Sequence, residues 1–224
     1  MSTLRLLVAV IQPSLLVAWG MWGVSDVRIA FLLYVFVACG LMPWLLFGVR
    51  PLSSRGGFPF LPRTDAAEHR VRTAALTWLV FGPGMVGAFA LLRPWMGTPE
   101  HYRAQLAAMH WNDDHFIGYA VLFVAFVPLM EEWWWRGQVL PRCVERYGTL
   151  AGIALTSVGF ASYHVFVLAR LYDPLAVVLR MGAILGAGVF WSWLGWRQKR
   201  WGLPYLGHQA ADVGIVVIFQ FLFR

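Results

Sequence analysis

Long, mainly apolar runs separated by polar segments dominate this chain, and they predict membrane-spanning helices. One helix needs about 20 apolar residues to cross the bilayer core. Runs of this kind recur along the whole chain, at about Leu4–Val24, Val27–Val49, Thr73–Leu92, Phe116–Val144, Thr149–Leu171, Leu175–Trp196 and Leu203–Phe223. The pattern predicts an all-α protein, a polytopic transmembrane helical bundle with about seven spans, within a range of about six to eight.

The polar segments between the runs predict connecting loops and no second domain. Arg50–Arg72 contains three prolines and a Gly56-Gly57 pair, and Arg93–His115 is rich in histidine and acidic residues. No internal repeat or linker stands out. We therefore expect a single integral-membrane domain over residues 1–224, with a motif-bearing core at about 116–219.

Composition places the chain in a bilayer and argues against nucleic acid as a partner. Hydrophobic residues make up 59% of the chain and charged residues 13%, against about 25% charged in a soluble domain. The net charge of +7 comes from arginines in the gaps between apolar runs. The two cysteines, Cys39 and Cys143, indicate neither a disulfide framework nor a zinc cluster.

The distribution of basic residues predicts a cytoplasmic N-terminus, because cytoplasmic loops carry an excess of Lys and Arg. With the N-terminus inside, most basic side chains fall on the inner side: Arg5, Arg50, Arg55, Arg63, Arg70, Arg72, Arg136, Arg142, Arg146, Arg197, Lys199 and Arg200. The outer side receives Arg28, Arg93, Arg103, Arg170 and Arg224. We expect an integral protein of the bacterial inner (plasma) membrane.

Several ionisable residues lie inside the predicted spans, where such residues are costly and often mark functional sites. They are Glu131, Glu132, His164, His208 and Asp212, with Arg136 at the edge of its span. Any one of them could instead be a packing residue bonded to a backbone carbonyl. Their number, and their position on three separate spans, favour a shared site.

Helical spacing relates these residues to one another. Glu132 and Arg136 are four residues apart, so they lie on one face and can form an ion pair. His208 and Asp212 have the same spacing. Glu131 is turned about 100° away from Glu132 and has no such partner on its own helix.

The connection between the fourth and fifth spans predicts which residues meet. Tyr147-Gly148 is the best turn signal there, and a hairpin turning at that point brings Glu131 and His164 to the same depth. The fourth helix would then continue past Arg136 roughly to Val144. Pro141 would strain this extension.

In this order, the motifs resemble those of the CAAX-protease and bacteriocin-processing family of intramembrane endopeptidases, which includes the type II CAAX prenyl endopeptidase. That family carries Glu-Glu-x-x-x-Arg, then Phe-x-x-x-His, then His-x-x-x-Asn or a variant. The matching residues are Glu131, Glu132, Arg136, Phe160, His164, His208 and Asp212, with Trp135 and Gly137 beside the arginine. The resemblance covers about Phe116 to Phe219.

The resemblance implies a peptidase whose catalytic residues are Glu131, His164, His208 and Asp212. Glu131 would be the general base, His164 would hold the water or share its proton, and His208 would donate to the oxyanion. Asp212 replaces the common asparagine, whose amide can donate a hydrogen bond. Asp212 would either be protonated or orient His208, and we expect it to orient His208.

The remaining motif residues, Glu132, Arg136, Phe160 and Trp135, are expected to support the structure or bind the substrate. Trp133 to Trp135 would line a substrate groove or pack in the core. Glu132, already paired with Arg136, is expected to be mainly architectural.

A metal offers a rival mechanism, because two histidines and a carboxylate form a known catalytic zinc set. Glu131, His164 and His208 would be its ligands. The chain contains no His-Glu-x-x-His pair, and these three residues come from separate helices. We therefore expect no cofactor, with zinc as the alternative.

The expected substrate is a membrane-embedded protein or peptide, cut in a membrane-anchored or C-terminal segment. Bacterial relatives suggest C-terminal sorting or processing, whereas prenyl-CAAX cleavage needs a host that prenylates proteins. The competing function is a proton-coupled membrane transporter, since acids and histidines inside spans also form proton relays. The absence of an inverted repeat in the sequence argues against the transporter.

Overall fold

The computed structural model describes residues 2–53, 57–60, 67–93, 98–111 and 116–222. Within these segments the chain forms helices and no strand: α1 Thr3–Val24, α2 Val27–Phe47, α3 Ala67–Leu92, α4 Pro99–Ala108, α5 Phe116–Tyr147, α6 Thr149–Leu171, α7 Pro174–Gln198 and α8 Gly202–Leu222. The predicted positions Arg55, Arg63, Arg224 and Phe223 lie outside the described residues.

The predicted fold class, an all-helical membrane bundle, is confirmed. In the described part of the chain, six helices are long and apolar enough to cross a membrane: α1, α2, α3 from Arg72 onward, α5, α6 and α7. The seventh predicted span is α8, which is not among the six. It carries the polar residues His208 and Asp212.

Helix α5 is the central helix of the bundle. Every residue from Glu131 to Leu140 is buried, and α2, α6, α7 and α8 all pack against this part of the helix. A helix that is buried on all sides gains from apolar side chains around its whole circumference. The charged residues of this stretch therefore need partners within the bundle, on their own helix or on its neighbours.

Two π-helical stretches widen α5, over Leu122–Phe126 and Trp133–Val139. Each one ends shortly before a proline, Pro128 or Pro141. Proline has no N–H and leaves the carbonyl four residues earlier without its helical partner, so a wider turn relieves the clash. The strain predicted at Pro141 is relieved by this wider turn. Helix α5 continues to Tyr147 instead of ending near Val144.

The described part of the first polar segment lies against α5 and is not an open loop. Pro141 leaves the carbonyl of Gly137 without a helical partner. This carbonyl accepts a hydrogen bond from the Phe58 N–H at 2.9 Å. The side chains of Trp133 and Gln138 both donate to the Ser53 carbonyl, each at 2.9 Å. The segment is therefore fixed just beyond the two glutamates.

The predicted hairpin between the fourth and fifth spans is present. Gly148 separates α5 from α6 and has a φ of +83°, a conformation that residues with a Cβ rarely adopt. Helices α5 and α6 pack against each other on both sides of this turn. The turn sets the depth at which their side chains meet.

A short helix, α4, lies within Arg93–His115, where a loop was predicted. Thr98 caps it by accepting a hydrogen bond from the His101 N–H at 3.3 Å, and Pro99 occupies its first turn. Tyr102 is 1% exposed and its ring lies edge-on to Tyr172 at the end of α6. Hydropathy did not predict α4, because the segment is mainly polar and a single buried aromatic residue anchors it.

The connection between α1 and α2 is a capped turn. Asp26 accepts a hydrogen bond from the Arg28 N–H at 2.8 Å and forms an ion pair with the Arg28 guanidinium at 2.6 Å. The hydrogen bonds from this guanidinium lower the pKa of Asp26 to about 2. Asp26 therefore stays ionised at the start of α2, where a negative charge is favourable.

Helices α3 and α8 approach each other closely through small residues. A Cβ on Gly214 would lie 2.9 Å from the Gly82 carbonyl oxygen, and Ala210 lies against the same part of α3. Small residues allow close helix packing in membranes. This contact holds α3 beside the helix that carries His208 and Asp212.

Candidate active site

Polar side chains from α5, α6 and α8 converge within the bundle, and α7 contributes a backbone carbonyl and an aromatic ring. Most of the predicted site residues are almost completely buried: Glu131 (2% exposed), Glu132 (0%), Arg136 (0%), His208 (6%) and Asp212 (4%). His164 is only half-buried. A buried charged cluster of this kind is stable only if its members bond to one another.

Glu132 connects two helices. Its Oε1 atom accepts a hydrogen bond from Nη1 of Arg136 at 2.7 Å, so the predicted helical ion pair is present. The same oxygen lies 2.9 Å from Nδ1 of His208 on α8. An ionised carboxylate only accepts, so Nδ1 carries the proton in this bond. Glu132 is therefore more than the architectural partner of Arg136, because it also orients His208.

Arg136 is held by three kinds of contact. Besides Glu132, its Nη2 atom donates to the Gly188 carbonyl on α7 at 3.1 Å. Its guanidinium lies 4.3 Å from the centre of the Phe160 ring. A desolvated cation over an aromatic face is favourable. The aromatic residue of the second motif thus packs against the arginine of the first.

His208 faces both glutamates. Its ring stacks on Trp191, with the centroids 4.6 Å apart and the planes at 22°. Its Nε2 atom is 3.6 Å from Oε2 of Glu131 and 3.9 Å from Oδ1 of Asp212. Both distances exceed a hydrogen bond. We expected Asp212 to orient His208, and the structure differs from this. The hydrogen bond that orients the ring is the one between Nδ1 of His208 and Glu132.

The two oxygens of Glu131 have different surroundings. Oε1 accepts a hydrogen bond from the Tyr163 hydroxyl at 2.7 Å. Oε2 has no hydrogen-bond partner among the described residues and is directed toward Nε2 of His208. Glu131 is thus held by a phenol on α6 and faces an imidazole on α8.

His164 does not bond to Glu131 within the described part of the chain. Its Nδ1 atom pairs with the Phe160 carbonyl of its own helix at 3.0 Å, and its ring stacks on Tyr163 at 4.0 Å. The hairpin register was right to within one residue. Successive helical residues differ by about 100° in direction, however, so Tyr163 points at Glu131 and His164 does not.

The three tryptophans of the first motif belong to the core. Trp133, Trp134 and Trp135 are all 0% exposed. Trp134 stacks on Phe47 with the ring centres 5.5 Å apart, and Nε1 of Trp135 donates to the Tyr34 hydroxyl at 3.2 Å. A groove lined by these rings is absent from the described structure, and the packing alternative applies to all three.

The conditional metal ligands are not assembled into a site. Among the described His, Cys, Asp and Glu residues, no three form a group that could hold a metal ion. Nδ1 of both His164 and His208 is already engaged, so each would have to bind through Nε2. Binding by Glu131, His164 and His208 together would require side-chain rearrangement.

Three aromatic residues outside the predicted set complete the site. Tyr163 contacts Glu131, Trp191 stacks on His208, and the Tyr34 ring lies 4.2 Å from the Tyr163 ring. Tyr163 directly precedes the motif residue His164, and this was the only sequence signal for it. Trp191 and Tyr34 lie among many other aromatic residues, so composition could not distinguish them.

Comparison with known proteins identifies the segment that carries the site. Residues 113–214 match a family model described as type II CAAX prenyl endopeptidase Rce1-like. None of the curated proteins and none of the solved structures matches the chain significantly. The matched segment includes both glutamates of α5 and both site residues of α8, and it excludes α1 to α4. Residues 113–214 therefore form a domain similar to the Rce1-like type II CAAX prenyl endopeptidases.

Proposed function

We propose that the protein hydrolyses a peptide bond in a membrane-anchored or C-terminal segment, using a water molecule activated by Glu131. The observation that carries this proposal is the buried Oε2 atom of Glu131, which has no hydrogen-bond partner among the described residues and lies 3.6 Å from Nε2 of His208. A carboxylate oxygen without a partner in a buried site is available to a reacting water.

In the first step, Glu131 takes a proton from water while the water oxygen bonds to the scissile carbonyl carbon. The carbonyl oxygen becomes an oxyanion. As an imidazolium, His208 donates a hydrogen bond from Nδ1–H to Glu132 and a second one from Nε2–H to that oxyanion. Stacking on Trp191 fixes the plane of the ring before the reaction.

In the second step, the carbon–nitrogen bond breaks and the leaving amine takes the proton that Glu131 received. His164 has the greatest exposure among the proposed catalytic residues. Because its Nδ1–H points to the Phe160 carbonyl, its Nε2 is free to accept a hydrogen bond. In this scheme His164 holds the incoming water or shares its proton.

Asp212 has a minor part in this scheme. Its Oδ1 atom lies 3.9 Å from Nε2 of His208, and Oδ2 has no hydrogen-bond partner among the described residues. Asp212 stands where the family commonly has asparagine. Its contribution is to the polarity around Nε2, and not to a bond that orients the ring.

Two substrate classes fit the peptidase. One is an S-prenylated C-terminal peptide, a class suggested by the family description, type II CAAX prenyl endopeptidase. The other is an unmodified sorting segment, in which an apolar tail is followed by basic residues. Either substrate would enter the bundle from the bilayer between helices. The Rce1-like match favours both over the transporter alternative.

The protein is expected to lie in the bacterial inner membrane with its N-terminus in the cytoplasm. Arg146 lies within 3.4 Å of Thr3 at the start of α1, and Phe58 packs on Trp196 near the end of α7. The basic ends of these helices therefore share one side of the bundle, which agrees with the positive-inside rule. Reporter fusions at residues 1 and 111 should give opposite locations.

A hydrolysis assay tests the proposed reaction. Purified protein in liposomes is incubated in ¹⁸O-water with an S-farnesylated CAAX-type peptide, and separately with an unmodified peptide that has an apolar tail and basic end. Mass spectrometry should detect one ¹⁸O in the new carboxyl terminus of a product. Glu131→Gln, His164→Ala and His208→Ala should each suppress this product.

The assay has clear contrary outcomes. If the parent cleaves neither peptide, or if all three variants cleave as well as the parent, the proposed function is wrong. Activity should persist after exhaustive chelation of the pure protein. A loss that only zinc restores would instead establish the zinc-dependent version of the same reaction.

A further inference from the structure

Tyr163 donates the only hydrogen bond that the Glu131 carboxylate accepts in the described structure. The hydroxyl is 2.7 Å from Oε1, and both side chains are buried. Hydrogen bonds from a neutral donor to an ionised carboxylate are stronger than neutral pairs. The terminal torsion of a glutamate is broad, so one strong bond to the carboxylate fixes the direction in which its other oxygen points.

We propose that Tyr163 is a positioning residue for the reaction: its hydroxyl holds Oε1 of Glu131 so that Oε2 faces His208 and the attacking water. This inference rests on the proposed function, in which Glu131 is the base. Oε2 lies 3.6 Å from Nε2 of His208. A rotated carboxylate would lose this arrangement, and small errors in placing reacting atoms slow catalysis strongly.

The Tyr163 ring is itself held from two sides. His164 stacks on it, with the centroids 4.0 Å apart, and Tyr34 of α2 packs against it at 4.2 Å. The Tyr34 hydroxyl in turn accepts a hydrogen bond from Nε1 of Trp135 at 3.2 Å. A ring fixed in this way has little freedom to move its hydroxyl away from Glu131.

Tyr34 gives the N-terminal helices a part in the site. It is 4% exposed and lies outside the segment that matches the family model. The arrangement therefore runs from Trp135 through Tyr34 and Tyr163 to Glu131. It starts and ends on α5 and passes through α2 and α6.

Other groups also face Glu131 and must be kept constant in a test. His208 approaches from α8, and Glu132 and Arg136 lie on the same helix. Replacing Tyr163 by phenylalanine leaves all three in place. It removes one hydroxyl and keeps the ring that packs against Tyr34 and His164.

The test compares Tyr163→Phe with Tyr147→Phe, which removes a hydroxyl from the exposed end of α5. Each protein is measured with the liposome peptide that the parent cleaves. Losing a hydrogen bond to a charged group corresponds to about a tenfold to hundredfold fall in kcat for Tyr163→Phe. KM should stay within about twofold, because the bond is made to the base and not to the substrate. Tyr147→Phe should match the parent.

An infrared spectrum gives a second measurement that does not depend on cleavage. The carboxyl band of Glu131 is identified by its loss in Glu131→Gln. In Tyr163→Phe this band should shift, since the oxygen has lost its donor. An unchanged band, or an unchanged kcat, overturns the inference. So does a fall in folded yield that accounts for all of the lost activity.

Failure of this inference can be told apart from failure of the proposed function. If the parent cleaves a peptide and Glu131→Gln does not, the function stands whatever Tyr163→Phe does. If Glu131→Gln cleaves normally, the base assignment is wrong. The infrared band would then report only on whether the Tyr163 contact exists.

Discussion

At the scale of single residues, the two neighbouring carboxylates of α5 have different partners. Glu132 bonds to Arg136 and His208, and Glu131 bonds to Tyr163. Spacing in the sequence predicted the Glu132–Arg136 pair, because both residues lie on one helix. It could not predict contacts between helices, which depend on how far each helix is rotated about its axis.

Glu132→Gln should reduce the folded yield and thermal stability of the protein. The change leaves the buried Arg136 without its charged partner and weakens the hold on His208. Removing one member of a buried ion pair costs about 3–5 kcal/mol. Size-exclusion profiles and thermal unfolding in detergent would measure the effect.

Glu145→Gln is the matched control, because Glu145 is exposed at the end of the same helix. It should unfold like the parent. Normal yield and stability of Glu132→Gln, together with lost activity, would show that Glu132 acts in catalysis and contributes little to folding.

Asp212→Asn should retain activity within about tenfold of the parent, because Asp212 makes no hydrogen bond to His208. The amide has nearly the same shape and adds a donor that can reach an oxyanion. Cleavage rates of the two proteins in liposomes would check this. A loss of more than about a hundredfold would mean that the charge of Asp212 is needed, since charge is the main property removed.

At the scale of helices, hydropathy predicted most of the bundle, because a bilayer allows little besides apolar helices. It missed α4, whose residues are mainly polar and whose anchor is the single buried Tyr102. It also missed the packing of the segment around Phe58 on α5. That packing uses hydrogen bonds to backbone carbonyls, one of which a proline leaves free, and hydropathy carries no information on such bonds.

Gly57→Ala should destabilise the protein by about 1–3 kcal/mol, as expected when a tightly packed position receives an extra methyl group. A Cβ there would clash with the Gly137 carbonyl oxygen, a backbone atom that cannot move aside easily. Thermal unfolding would measure the change.

Gly186→Ala provides the comparison on α7, where a Cβ would have no neighbour within 4 Å. Alanine should be neutral or slightly stabilising there, since it favours helix more than glycine does. Equal stability of the two variants would contradict the close contact between residue 57 and α5.

At the scale of the whole molecule, the site combines residues 113–214, which match the family model, with helices outside this segment. Tyr34 and Phe47 of α2 and the Ser53 carbonyl all contact the tryptophans of α5. The sequence motifs identified the residues that supply charge. The surrounding aromatic packing that positions them became visible only in the assembled bundle.

The most direct test of the account is the cleavage rate of Glu131→Gln against that of Glu145→Gln, in liposomes and with the peptide that the parent cleaves. If Glu131 is the general base, its replacement should lower kcat by about 10²–10⁴-fold, while Glu145→Gln should cleave like the parent. A Glu131→Gln protein that folds normally and cleaves within about tenfold of the parent would contradict the account, since general-base catalysis contributes more than this.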